Sequence, residues 1–160
     1  MTAVASTGAR EPGLLERLTR TGDQVALLVL RVGLAVVFFP HGAQKALGWF
    51  GGPGFAGFVG FAHRFGIPSW LAVLAILAEF LGSIGLLLGL LGRVAAFGIF
   101  CNMVAAVALI HSKVGFFMNW SGKQAGEGFE FHLLAMAALL AIMIGGSGAA
   151  SVDRSLSRAS

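Results

Sequence analysis

Arg31, His41 and Lys45 sit inside an apolar run, Val25 to Ala46, that is long enough to cross a bilayer. A cation at the middle of a membrane helix costs roughly 2.5–3.5 kcal/mol on insertion scales, so it turns toward other helices or a wet cavity and finds a partner there. At about 100° per residue the three side chains fall within about 80° of one another, which makes one face of this helix polar and inward. Glu79 stands near the centre of a second apolar run. Arg31 and Glu79 are too deep for headgroup anchoring and are read as a structural ion pair; a proton path or ligand site is the alternative, and Lys45 or His41 are the other partners open to Glu79.

A second group gathers near one end of the apolar runs: His41, Lys45, His111, Lys113, Glu130 and His132. Two loops rich in phenylalanine lie over the same end. Polar groups under an aromatic cap suit a small, flat, partly apolar molecule such as a quinone. His41, Lys45, Glu79, His111 and Glu130 are the residues assigned to that pocket. His132 lies about 160° from Glu130 around the helix and is expected to face lipid headgroups or another crevice. The plainer alternative is that helix ends are polar anyway and that lysines snorkel. His41, His111 and His132 are of ligating type for a haem or metal ion, but no spacing motif supports this and no metal site is assigned. GxGxxG, Walker A and CxxCH motifs are absent, so neither a nucleotide nor a c-type haem site is indicated, and no intrinsic cofactor is expected.

The elements that must position these residues follow from composition and pattern. The chain has 160 residues, 57% hydrophobic and 11% charged, with net charge +4. A soluble domain carries about 25% charge, and half of that cannot cover a watery surface. Four apolar runs of spanning length account for the excess, which makes this an all-α integral membrane protein with four transmembrane helices in one bundle. The basic residues stand at helix ends without interleaved aromatics, so nucleic-acid binding is excluded. The single cysteine, Cys101, reads as a buried small hydrophobe, and no disulfide within the chain is available to it.

Residues 1–24 read as a polar tail followed by an amphipathic interfacial piece, residues 25–148 as the membrane domain, and residues 149–160 as a polar tail. The spans are Val25 to about Ala46, Ser69 to Leu91, Val94 to about His111, and Glu130 to about Gly146. Pro40 denies a backbone hydrogen bond to the Val36 carbonyl. Short interfacial helices are expected in both long loops, 47–68 and 112–128. On the last span Ala137, Ala138, Ala141, Gly145 and Gly148 share the side of Glu130, taken as the packed face. Six arginines (Arg10, Arg17, Arg20, Arg93, Arg154, Arg158) lie on the side of the termini, against Lys45, Arg64, Lys113 and Lys123 on the other. That bias places both termini in the cytoplasm, with Trp49, Trp70 and Trp120 at the opposite interface.

The strings RVG at 31–33, FPHGAQK at 39–45, FGIP at 65–68, EFLGSIGLLLGLLGR at 79–93, EFHLL at 130–134 and GSGAASVD at 146–153 together resemble the DoxX family of small four-helix bacterial membrane proteins. The resemblance covers roughly residues 25–155. It carries over Arg31, His41, Gly42, Lys45, Glu79, Arg93, Glu130 and Asp153 as the positions of interest. It implies a bacterial inner-membrane protein, and the family has been tied to thiosulfate:quinone oxidoreductase subunits and to complexes handling sulfur and oxidative stress. The expected function is the membrane subunit of a quinone-linked oxidoreductase system, with the bilayer, a bound quinone, partner oxidoreductase subunits or a second copy of the chain as its contacts. The alternative is a non-catalytic anchor or assembly factor for a redox complex.

Overall fold

The computed structural model describes residues 13–159, and the polar tail read at residues 1–12 lies outside them. Among the described residues there are seven α-helices and no strands: α1 Leu14–Thr19, α2 Val25–Leu47, α3 Gly54–His63, α4 Ser69–Leu88, α5 Gly92–Leu109, α6 Glu130–Gly145 and α7 Val152–Ala159. Short 3-10 turns at Trp49–Gly51 and His111–Lys113 extend the ends of α2 and α5. Three helical stretches, Val25–Leu47, Ser69–Leu88 and Gly92–Lys113, are long and apolar enough to cross a membrane. The fourth apolar helix, α6, has 16 residues.

α2 packs on α4, α4 on α5, α5 on α6, and α6 returns to α2, closing a four-helix bundle. Its centre is filled by Leu34, Phe38, Leu86, Ile99, Met103, Leu139 and Ile142. The outside is equally apolar: Val36, Leu74, Leu81, Phe97, Val104, Leu134 and Ile144 are all exposed. In water that surface would drive aggregation. Against lipid it is the expected one, and because lipid tails are as apolar as leucine, helix association there depends on close packing. Gly42 shows how close: a Cβ at this position would lie 2.6 Å from Phe80 Cα, so α2 and α4 meet backbone to backbone.

Four expectations need correction. The second long loop contains no interfacial helix beyond the 3-10 turn at its start; residues 114–129 are turns that close on themselves through Phe129 N–H to Gly115 O and Glu130 N–H to Phe116 O. The segment read as a C-terminal polar tail is largely the helix α7, whose Asp153 is buried. The most deeply packed face of α6 is a different one: His132, Ala135, Leu139 and Ile142 are buried, whereas of the expected residues Ala137 is exposed and Ala138, Ala141 and Gly145 are half-buried. Large side chains are needed there because α6 meets a core of Phe38, Ile99 and Met103 rather than a neighbouring backbone. Cys101 is exposed on the apolar surface of α5, not buried.

Candidate functional site

The polar side chains of the bundle interior separate into two groups, one at each end. At the end that carries both described termini, Arg31 reaches from α2 into the turn after α6. Its Nε donates to Ser147 O, one terminal nitrogen to Leu86 O and Leu87 O, and the other to Ala149 O and Ala150 O, at 2.5–3.1 Å. A guanidinium has five N–H donors, and here five carbonyls receive them. Two of these carbonyls belong to the last turn of α4, where helix carbonyls run short of backbone partners; Leu86 O also accepts the Gly89 N–H at 3.2 Å. Asp153 completes the arrangement from α7. Its carboxylate accepts the N–H groups of Leu91 (2.7 Å) and Gly92 (2.9 Å) and the Ser147 hydroxyl (2.6 Å). An anion is thus placed at the N-terminus of α5, where the helix dipole favours it. The pairing of Arg31 with Glu79 is therefore incorrect: every Arg31 donor is taken by a backbone carbonyl, and Glu79 is bound elsewhere. This end is a structural knot.

Glu79 belongs to the other end. It is 2% exposed and forms an ion pair with Lys45, whose side chain is 25% exposed. Asn102 of α5 donates to Ala75 O at 2.7 Å and lies 3.4 Å from the same Glu79 oxygen. The Lys45 ammonium also stands 5.4 Å above the Phe58 ring of α3. Together these contacts join α2, α3, α4 and α5 beside a cavity of about 500 Å³. α3 lines the cavity with Phe58, Phe61 and Ala62, and Phe65 follows from the turn after it; Phe38, Met103, Ala106, Leu109 and Phe131 form more of its apolar wall.

A second polar pole lies on α5 and α6. The rings of His111 and His132 have centroids 4.1 Å apart, and Phe131 meets His132 nearly edge-on at 5.7 Å. His111 Nδ1 lies 2.7 Å from the Glu127 carbonyl oxygen, which can only accept, so Nδ1 carries the proton. The Glu127 carboxylate in turn accepts the Asn119 N–H at 2.7 Å, tying this pole to the second long loop.

The structure brings His41, Lys45, Glu79 and His111 of the expected set to one cavity. Glu130 is not among its lining residues; it accepts the Met118 N–H at 2.8 Å and holds the loop over the bundle. Three lining residues were not assigned to the pocket in the sequence: His132, Asn102 and Glu127. For His132 the misreading followed from the choice of α6 face, and a hydrophobic count that weighs Leu139 and Ile142 above the small residues puts it inward. Among the described residues no three His, Cys, Asp or Glu side chains converge so as to hold a metal ion.

Comparison with known proteins points in a single direction. The DoxX family model matches residues 26–112. That stretch takes in α2 to α5, and with them Arg31, Lys45, Glu79 and Asn102. The chain is also 28% identical over 136 residues to the inner membrane protein YqjF of Escherichia coli (strain K12), a match that spans 85% of this chain and 95% of the relative. No solved structure matches.

Proposed function

The chain belongs to the DoxX family, and from that premise we propose that it is the membrane subunit of a quinone-linked oxidoreductase system, with its cavity as the quinone site. The observation that carries this reading is the cavity's construction: aromatic and aliphatic walls, a few convergent polar groups, and a volume within the 300–1,000 Å³ usual for small-molecule sites. The residues suit the ligand. A quinone ring is flat and apolar with two acceptor oxygens. Phe38, Phe58 and Phe131 offer ring faces and edges, and His41, His132 and Lys45 offer donors around them. When bound, a quinone supplies two-electron, two-proton redox chemistry. The chain's own residues bind and orient the ring, and α3 with the second long loop shields it from water. Electrons must come from a partner oxidoreductase subunit.

In this reading four helices span the bacterial inner membrane. α6, about 24 Å long at 1.5 Å per residue, falls short of a hydrocarbon core of about 30 Å, and the turns at its two ends complete the crossing. Both termini then lie on the cytoplasmic side and the cavity near the opposite interface. The test is thermal. A ligand that binds only the folded state stabilises it by about 2.7 kcal/mol at a hundred times its Kd. A panel of quinones should raise the melting midpoint of the purified protein in a saturable way. Well-folded protein with no shift from any quinone would favour the anchor or assembly-factor role.

A further inference from the structure

Among the described residues one buried side-chain atom has no hydrogen-bond partner, and it is Nδ1 of His132. The residue is 7% exposed, and its side chain lines the cavity. Buried polar atoms in folded proteins are almost always paired, and those that are not call for an explanation at that site. The ring is not free to turn away and find a partner. His111 packs against one side of it with the ring planes tilted by 42°, and Phe131 meets it edge-on. His111 is itself fixed by the bond to Glu127 O, so the outer loop holds the pair in register. Every other polar side chain of the cavity named above already has a bond: Lys45 to Glu79, Asn102 to Ala75 O, Glu127 to Asn119. His41 also lines the cavity but is an exposed group at its rim, open to water, so it is not left unpaired as Nδ1 of His132 is.

We infer that His132 is the specificity-determining residue of the cavity, hydrogen-bonding an oxygen on the ring of the bound molecule. This rests on the reading of the cavity as a site for a flat ring, and it adds which atoms of that ring are recognised. An apolar pocket by itself accepts any ring of the right size. A site built to hydrogen-bond one group rejects the analogue that lacks it, because its own buried polar atom is then left unpaired.

The experiment compares two probes of the same shape: a naphthoquinone, and the naphthalene in which methyl groups replace the two carbonyl oxygens. Binding of each is measured to wild type, His132→Phe and His132→Asn in the same detergent, and the ratio of the two affinities is compared between proteins. Partitioning into detergent cancels in that comparison. Phenylalanine keeps the ring contact and the volume; asparagine keeps an amide nitrogen near the place of Nδ1. The quinone preference of wild type should fall roughly tenfold in His132→Phe, the size of one hydrogen bond, and return in part in His132→Asn. An unchanged preference in His132→Phe overturns the inference, and so does equal binding of both probes to wild type, although the ring site itself would then stand. Binding of neither probe to wild type would overturn the cavity reading and this inference with it.

Discussion

Lys45 and Glu79 carry opposite charges beside the cavity, and each depends on the other. Removing one partner of a buried pair strands a charge and typically costs about 3–5 kcal/mol, whereas replacing both with apolar groups can be nearly neutral. Lys45→Met alone should therefore lower the melting midpoint and folded yield sharply, and the double change Lys45→Met with Glu79→Leu should recover most of the loss. Additive losses would mean that the two are not partners. Arg31 behaves differently because its partners are carbonyls that cannot be removed. Arg31→Leu should lower folded yield severely, with no second-site rescue by Glu79→Leu. That these residues face inward was legible from the cost of charge at membrane depth, but which cation meets which anion was not. Periodicity fixes direction around one helix, and the depth of one helix against another is set by contacts such as Gly42 on Phe80.

Helices α2, α4 and α5 were legible to within three residues at each end, because long apolar runs bounded by Gly, Pro and charge leave little choice. The turns between them carry information that sequence alone conceals. Leu91 sits at φ +49°, a conformation unfavourable to a residue with a Cβ, and is held there by the Asp153 carboxylate on its N–H. Nothing local announces this, since the two residues are 62 positions apart. Asp153→Asn would leave one acceptor oxygen for three donors, and a loss of about 1–3 kcal/mol is expected in chemical or thermal unfolding. Leu91→Gly in that background should return part of the loss by relieving the strain. At the α2–α4 crossing, Gly42→Val should push the helices apart and reduce folded yield far more than Gly33→Val, since nothing lies within 4 Å of a Cβ at Gly33. The face of α6 was misread for a physical reason: small residues mark close backbone contact, and α6 meets side chains instead.

As a whole the molecule is a bundle with a structural knot at one end and a lined cavity at the other, its outside apolar along the long helices and polar at the two ends. Its orientation is tested by labelling: with both termini cytoplasmic, a cysteine at Lys123 should react with an impermeant thiol reagent in intact cells, and one at Arg158 should not. Cys101, although exposed, faces lipid and should stay unlabelled by the same reagent. The reverse pattern would move the cavity to the cytoplasmic side. The most direct test of the proposed quinone site needs no added ligand. Wild type and an Ala106→Phe variant, which fills the cavity from α5, are purified from their native membranes to the same melting behaviour, and the lipid extract of each is assayed for quinone. A quinone retained by wild type and lost from the variant is the predicted result. Quinone at the same background level in both would contradict it.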